Sequence, residues 1–278
     1  MKTNNQHYWL IELLTYWEGE VCTRHLREFF GLSRQQASKH LQSYLTNYPD
    51  HLDYDPSLKR YVPGPAFTAT HISCDVNEYL NWLTGIRSLM PSGKSLLSLP
   101  HFAISPAPRR VSNQVMRLLV KALRQQRRLE VDYLSVSSAD PDGRIIVPHA
   151  FVNTGLRWHL RAWCEKNRAY RDFVLSRFRG VPDLLDRSEH GPENDEAWNT
   201  EVNVILRPDP RLKPTQQSAL EQDYGMENSQ LTLTCRAALV HYLLQEMQVN
   251  IKVLDGSPEA QQLVLVNTEE LRPWLFNI

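Results

Sequence analysis

Residues 33–43 read Ser-Arg-Gln-Gln-Ala-Ser-Lys-His-Leu-Gln-Ser, a run rich in the side chains that read and hold nucleic acid. Arg and Gln make paired hydrogen bonds to guanine and adenine edges in the major groove, while Lys and Ser suit phosphate oxygens. A second chemically loaded stretch lies further on. Arg157, His159 and Arg161 alternate along one apparent strand, Arg171 and Arg177 along another, and Tyr133 and Ser135 share a side of a third. Guanidinium forks with hydroxyl and imidazole donors suit phosphate or carboxylate, and His149, after Pro148, is a further candidate donor. The competing reading is that the arginines form surface salt bridges to Asp and Glu of the acidic residues 181–278 and that His149 is a structural donor. Signatures of catalysis are missing: there is no Walker loop, no HExxH, no GxSxG, and Asp132 and Asp172 stand isolated. No catalytic residue is therefore assigned. Cys22, Cys74, Cys164 and Cys235 lie dozens of residues apart with no CxxC pair and no local His to complete a zinc set, so no metal or cofactor is expected.

The first run needs a helix to present it. Trp9, Leu10, Leu13, Leu14 and Trp17 recur at helical spacing and predict one amphipathic helix over 6–17. Thr23 is placed to cap a short second helix carrying Leu26, Phe29 and Phe30, which stops at Gly31, where a left-handed cap wants glycine. Ser33 then caps a third, with Ala37, Leu41, Tyr44 and Leu45 inward and Arg34, Gln35, Gln36, Ser38, Lys39 and Gln42 outward. Two short helices joined by a three-residue turn describe a helix-turn-helix. Residues 51–62 form two alternating runs around Asp55-Pro-Ser, a hairpin that reads as a wing with Lys59 and Arg60 within reach of phosphates. The expected DNA-contacting set is thus Thr23, Ser33, Arg34, Gln35, Gln36, Ser38, Lys39, Gln42, Lys59 and Arg60. The competing reading of this segment is a small helical bundle whose polar face is merely solvated.

Charge divides the chain. Lys plus Arg and Asp plus Glu both number 31, a net charge of zero that would argue against an anionic partner. By segment, residues 1–66 are neutral, residues 109–180 carry +9 and residues 181–278 carry −9. Such asymmetry points to an anion-binding module beside a domain with another task. The four parts are a winged helix-turn-helix (1–66), a linker helix and Pro-rich connection (67–108), a β-barrel (109–185) and an α/β domain (200–278). Within the linker, Asp75 and Glu78 predict a capping box for a helix running to about Met90, and Pro91, Pro100, Pro106 and Pro108 place a boundary near 105. Ser112–Arg127 predicts a helix. Strands follow over 129–135, 144–151, 157–163 and 170–178 with turns at Asp140–Gly143 and Asn153–Gly155, and 179–200 reads as an acidic linker. The last domain alternates strand 202–206, helix 214–224, strand 230–235, helix 240–247 and strand 262–266, with an apolar end, Leu271–Ile278, that closes either its own core or a partner's. The fold class is α+β. The longest charge-free stretches are 14 residues and contain prolines, too short for a membrane span. Glu12 interrupts the apolar run at the start, so no signal peptide is read and a cytoplasmic protein is expected.

The middle segment resembles a WYL domain, a Sm-like β-barrel sensor module of bacterial transcription factors. The resemblance is carried by Arg157-Trp-His-Leu160, where the family has Trp-Tyr-Leu, by Arg171-Asp-Phe173 and Ser176-Arg177, and by Tyr133, Ser135 and Pro148. The name-giving Tyr is His159 here, so a role that needs the phenol does not carry over. The order of winged helix, linker helix, WYL barrel and α/β extension is similar over nearly the whole chain to the BrxR and CapW group of repressors of phage-defence operons. That resemblance implies a homodimeric repressor on a double-stranded DNA operator with an inverted repeat. It also implies a barrel that senses a nucleotide-like or nucleic-acid ligand, expected here to be anionic and to relieve repression. The alternation and chemistry of the strands, independently of the resemblance, make Tyr133, Ser135, His149, His159, Arg161, Arg171 and Arg177 the expected ligand-binding set. The alternatives are a nucleic-acid- or nucleotide-processing enzyme targeted by its winged helix, and a scaffold whose winged helix binds protein.

Overall fold

A computed structural model describes residues 3–83, 109–136, 143–250 and 257–275. The chain divides into two compact units, each discontinuous in sequence: residues 1–146 with 175–187, and residues 147–174 with 188–278.

In the first unit, helices α1 (Thr3–Trp17), α2 (Thr23–Phe30) and α3 (Arg34–Asn47) precede a hairpin of β1 (Leu52–Asp55) and β2 (Arg60–Pro63), and α4 (Val76–Leu83) follows. Trp9, Leu10, Leu13, Leu14 and Trp17 are all buried, as their helical spacing requires. Gly31 ends α2 with φ 66°, the left-handed cap that glycine adopts without strain. Thr23 is not the cap of α2 but its first residue. Cys22 holds the cap position, and its N–H donates to His25 Nδ1 at 3.3 Å. Ala37, Leu41 and Tyr44 of α3 turn inward, while Leu45 is half-buried and Phe29 of α2 is exposed. β1 and β2 pair antiparallel from Leu52↔Pro63 to Asp55↔Arg60, and Asp55 Oδ1 accepts the Ser57 and Leu58 N–H groups in the turn. Tyr61 and Val21 exchange two backbone bonds of 2.8 Å, tying the wing to the residues ahead of α2.

A carboxylate organises this unit. Glu12 of α1 is fully buried and accepts from the Tyr44 hydroxyl of α3 at 3.2 Å, from Thr70 N–H at 2.7 Å and Oγ1–H at 3.0 Å, and from His71 N–H at 2.6 Å. Burial, and next the Glu12 charge, push the Tyr44 phenol up, so that it remains a donor. The capping box expected at α4 is half-formed. Asp75 Oδ1 accepts the Asn77 N–H at 2.9 Å, but the Glu78 carboxylate turns to Ser73 and to Trp9 Nε1, 2.6 Å away. The expected continuation to Met90 and the boundary near 105 lie outside the described residues.

Ser112 caps α5 (Asn113–Gln125), which docks on α1: Arg117 donates Nε to the Tyr16 carbonyl at 2.8 Å and Nη2 to that of Thr15 at 3.0 Å. A cation at a helix C-terminus satisfies both its partial charge and its orphan carbonyls. β3 (Arg127–Tyr133) follows, and β4 (Arg144–Asn153) runs from the first unit into the second, which continues with β5 (Trp158–Cys164) and β6 (Ala169–Val174). A 3-10 turn, Leu175–Arg177, leads back to β7 (Phe178–Arg187), and the strand order is β6-β5-β4-β3-β7. Two sequence expectations are corrected here. Arg177 lies in the turn rather than on β6, and the supposed linker begins with a ten-residue strand that pairs antiparallel with β3 from Tyr133↔Phe178 to Arg127↔Arg187. Gly180, with φ 58°, and Pro182 disguised that strand. Both are tolerated because β7 is an edge strand with a register shift opposite Glu130 and Asp132. Of the expected Asp140–Gly143 turn, only Gly143 is among the described residues.

The rest of the second unit comprises α6 (Glu196–Asn199), β8 (Glu201–Pro208), α7 (Pro214–Asp223), β9 (Leu231–Arg236), α8 (Val240–Glu246), α9 (Pro258–Gln261), β10 (Leu263–Leu265) and α10 (Thr268–Leu271). Its sheet has the order β10-β8-β9, and Val204, Leu206, Val240, Leu244 and Leu263 form a core that Leu271 and Leu275 complete. Those two residues of the apolar end therefore close their own domain, while residues 276–278 lie outside the described part. Among the described residues no helix is long and apolar enough to cross a membrane.

Replacing Glu12 tests the organisation of the first unit. Glu12→Gln sets an amide donor against N–H donors and is expected to lower the stability of this unit by about 2–4 kcal/mol in urea unfolding. Glu28→Gln, on the exposed face of α2, should change it by less than about 0.5 kcal/mol.

Candidate functional site

Arg34, Gln35, Gln36, Ser38, Lys39 and Gln42 are all exposed on α3. At roughly 100° per residue, Gln35, Ser38, Lys39 and Gln42 form one stripe opposite the buried Ala37, Leu41 and Tyr44, with Arg34 flanking it in the first turn. Gln36 stands apart. Its Oε1 accepts the Ser33 N–H at 2.9 Å while Ser33 Oγ accepts the Gln36 N–H at 3.2 Å, a reciprocal cap that leaves only the amide NH2 of Gln36 to donate elsewhere. Lys59 is exposed in the wing turn, with φ 54°, whereas Arg60 is drawn back into an ion pair with Glu20. Thr23 is half-buried at the start of α2.

The residues expected around an anion pocket fall into both units. In the first, Tyr133 is buried with its ring 5.3 Å from that of Phe178, Ser135 follows the end of β3, and Arg177 is half-buried in its turn. In the second, His159 and Arg161 do not line an open face, because Trp158, Leu160 and Ala162 on the opposite side of β5 are buried as well. Arg161 instead donates Nε and Nη2 to Asp195 at 2.8 and 3.0 Å, and Nη1 to Asp172 at 3.2 Å. His149 Nε2 lies 3.0 Å from the same Asp195 carboxylate, which also accepts the Trp198 N–H as the cap of α6. Asp172 accepts from the Tyr242 hydroxyl at 3.0 Å, and the His159 ring packs 5.0 Å from that of Tyr242. Arg171 is exposed on the edge strand β6.

The two carboxyls of this network behave differently. Burial opposes charge on Asp195, but hydrogen bonds from His149 and Arg161 prevail and hold it down to about 2. For Asp172 burial wins, pushing the carboxyl up against the opposing Arg161 and Tyr242. The stretch holding Asp195 is anchored further by the Tyr170 hydroxyl, which donates to the Gly191 carbonyl at 2.7 Å, and by Trp163, stacked 4.1 Å from His190.

Beside the network is a cavity of about 310 Å³ lined by Thr154, Arg157, Tyr242, Gln245 and Gln248. The turn at its edge requires Gly155, whose φ is 74° and whose missing Cβ leaves room for the Glu246 carboxylate. Sequence reasoning missed Asp195 and Tyr242 as parts of this site. Asp195-Glu-Ala-Trp198 is a legible helix-cap pattern, hidden in a segment read as linker. Tyr242 has no local signal, because only the tertiary fold carries α8 to β6.

Three family models cover most of the chain: the BrxR transcriptional regulator winged helix-turn-helix domain over residues 3–85, the WYL domain over 114–182, and the BrxR transcriptional regulator C-terminal dimerization domain over 201–271. The DNA-binding transcriptional repressor CapW of Pseudomonas aeruginosa is 34% identical over 268 residues, covering 94% of this chain and 89% of that protein. The chain belongs to the BrxR/CapW family of WYL-domain transcriptional regulators. CapW of Escherichia coli (strain KTE188) is likewise 34% identical over 272 residues, with 94% of this chain and 89% of that protein covered, and CapW of Stenotrophomonas maltophilia is 30% identical over 274 residues, with 98% and 92% covered. Within this BrxR/CapW architecture the α3 stripe falls in the matched winged helix, Arg161 and Asp172 in the matched WYL stretch, and Tyr242 in the matched dimerization domain. Asp195 lies in the stretch between the last two matches.

The Arg161 network makes an acid-dependent prediction. An ordinary aspartate titrates near 3.8, and Asp195 is held at about 2 in the fold. Its stabilisation, about 2 kcal/mol, is therefore complete above roughly pH 4 and lost as pH falls from there through 2. Asp195→Asn should be less stable than the unaltered protein at neutral pH, with the gap narrowing between pH 4 and pH 2 in urea unfolding followed by tryptophan fluorescence.

Proposed function

We propose that this chain is a sequence-specific DNA-binding transcriptional repressor that works in the cytoplasm as a homodimer on an inverted-repeat operator of a phage-defence operon. The observation that carries the reading is the exposed stripe of Gln35, Ser38, Lys39 and Gln42, flanked by Arg34, on the second helix of the helix-turn-helix. The first turns of such a helix contact base edges, and two copies related by a dimer axis read half-sites about one helical turn apart. Curated relatives that bear the name of DNA-binding transcriptional repressor, and a matched dimerization domain, support the same reading. The neutral charge of the head is no obstacle, since a few placed contacts and two copies suffice.

Repression is relieved, in this reading, by an anionic nucleotide-like or nucleic-acid effector. Arg157, in the cavity beside Tyr242, and the exposed Arg171 are the guanidinium groups of the second unit best placed to meet it. From Tyr242 the hydrogen-bonded path runs through Asp172 and Arg161 to Asp195, and from there along the chain into β8. An effector that shifts Tyr242 thus acts on the chain entering the dimerization domain, and a two-state bias there changes the spacing of the recognition helices. Arg161 and His149 serve this reading as transmitters, and Tyr133, Ser135, His159 and Arg177 remain members of the proposed sensing set.

Anisotropy titration on the duplex upstream of its own operon, over a salt series, tests the DNA reading. Affinity should fall steeply with salt, and Arg34→Ala with Gln35→Ala should weaken specific binding by about 10- to 100-fold. No sequence-specific binding at moderate salt, or full affinity in the double variant, would overturn it. Mononucleotides and short single-stranded oligonucleotides added to the complex test the effector. Arg157→Ala and Arg171→Ala should keep basal DNA affinity and blunt release.

A further inference from the structure

The cavity beside Arg157 presents a carboxylate as well as a cation. Its wall is Thr154, Leu156 and Arg157 from the turn between β4 and β5, with Tyr242, Gln245, Glu246 and Gln248 from α8 and just beyond it. The turn is held in shape by its own hydrogen bonds. Thr154 donates N–H and Oγ1–H to the Arg157 carbonyl at 3.1 and 2.9 Å, and Asn153 Oδ1 accepts the Gly155 N–H at 2.9 Å. Glu246 reaches over this turn, its carboxylate filling the space that the missing Cβ of Gly155 leaves. Among the described residues neither the half-buried Arg157 guanidinium nor the exposed Glu246 carboxylate makes a hydrogen bond or an ion pair, with each other or with any other group. Arg161, Asp172 and Asp195, by contrast, satisfy one another. Gln245 donates one N–H to His241 Nε2 at 3.0 Å, which leaves its carbonyl as an acceptor.

Two unengaged charges of opposite sign constrain an occupant at both ends. A bare anion gains at Arg157 and is repelled by Glu246. An occupant that gains at both carries an anionic group and, away from it, N–H donors side by side. Of the nucleobases, guanine alone sets two N–H donors next to each other on its pairing edge, N1–H and N2–H, and a carboxylate accepts such a pair with both oxygens. Adenine and cytosine place a ring acceptor beside the amino group, and uracil flanks its one N–H with two carbonyls, so each turns a lone pair toward the carboxylate. Leu156, 59% exposed, and the Tyr242 ring supply apolar surface for a base. A volume of about 310 Å³ is at the small end of ligand pockets and suits one nucleotide rather than a strand.

Resting on the reading of Arg157 as the partner of an anionic effector, we propose that the effector is a guanine mononucleotide, its phosphate on Arg157 and its N1–H and N2–H groups on the Glu246 carboxylate. Arg157 then supplies attraction to any nucleotide, and Glu246 supplies the choice of base. Tyr242, on the same wall, links the occupied cavity to Asp172 and Arg161.

Isothermal titration of the full-length protein with GMP, IMP and AMP tests this. GMP should bind saturably and at least about ten-fold more tightly than AMP, the difference of about 1.4 kcal/mol that a charged acceptor facing two donors contributes. IMP lacks only the 2-amino group of guanine and should bind at least about five-fold more weakly than GMP, a comparison that needs no variant. Glu246→Gln, at an exposed position, should weaken GMP about ten-fold and change AMP by less than about two-fold, whereas Arg157→Ala should weaken both. If AMP or IMP binds as tightly as GMP and Arg157→Ala weakens all three, the guanine assignment is overturned and the anionic-effector reading stands. GMP affinity untouched by Glu246→Gln overturns the assignment in the same way. Absence of saturable binding by every nucleotide would overturn both.

Discussion

The winged-helix unit depends on one buried negative charge. A carboxylate with no exposure is tolerable only when donors surround it, and Glu12 draws them from α3 and from the chain that leaves the wing. Each partner lies more than 30 residues away in sequence, so the charge acts as a long-range clasp rather than a local cap. Tyr44, its partner on α3, also presents its hydroxyl 3.2 Å from His51 Nδ1 at the start of the wing. The angle at which α3 meets solvent is therefore set from below by a polar contact, while the surrounding apolar side chains supply the bulk of the burial. Apolar packing alone tolerates small rotations of a helix, and a directional hydrogen bond resists them.

The second unit uses the opposite sign. A buried guanidinium, Arg161, is matched by two carboxylates, one on the neighbouring strand and one on the segment that precedes β8. This changes the meaning of the charge asymmetry along the chain. Much of the basic excess of 109–180 is internal: Arg117 binds the end of α1, Arg124 pairs with Glu18, Arg127 reaches the Leu185 carbonyl, and Arg161 holds Asp172 and Asp195. Part of the acidic excess after residue 181 is their complement, as Asp195 and Asp186 show. Opposite charges separated in sequence here mark segments that bind one another.

The longer helices and the last sheet were legible because their signals are local. Periodicity located α1, α3, α5, α7 and α8, the glycine cap ended α2, and the strands of the last sheet differ from their expected ranges by one or two residues at each end. The exposed face of α3 was legible for the same reason, since a helix with buried Ala37, Leu41 and Tyr44 has only one face left. Alternation failed at β5, where it assumes a strand with one wet side; with both faces covered, the polar positions 159 and 161 point into the protein. It failed again at β7, where Pro182 and a register shift break the pattern on an edge. Pairing of the barrel arginines with the acidic segment is one of the two readings open to the sequence, and Asp195 bears it out for Arg161, buried rather than at the surface. Which carboxylate it finds was beyond reach, because a residue type shows only that a charge needs an opposite.

The double duty of Gln36 bears on how such a protein could change its target. Its side chain closes the cap that starts α3, so a substitution chosen to suit a new base at that position also frays the helix that presents every other contact. Gln35, Ser38 and Gln42 carry no such tie in the cap. Divergence in target preference is thus channelled into three positions of the stripe, while position 36 is held by the architecture of its own helix.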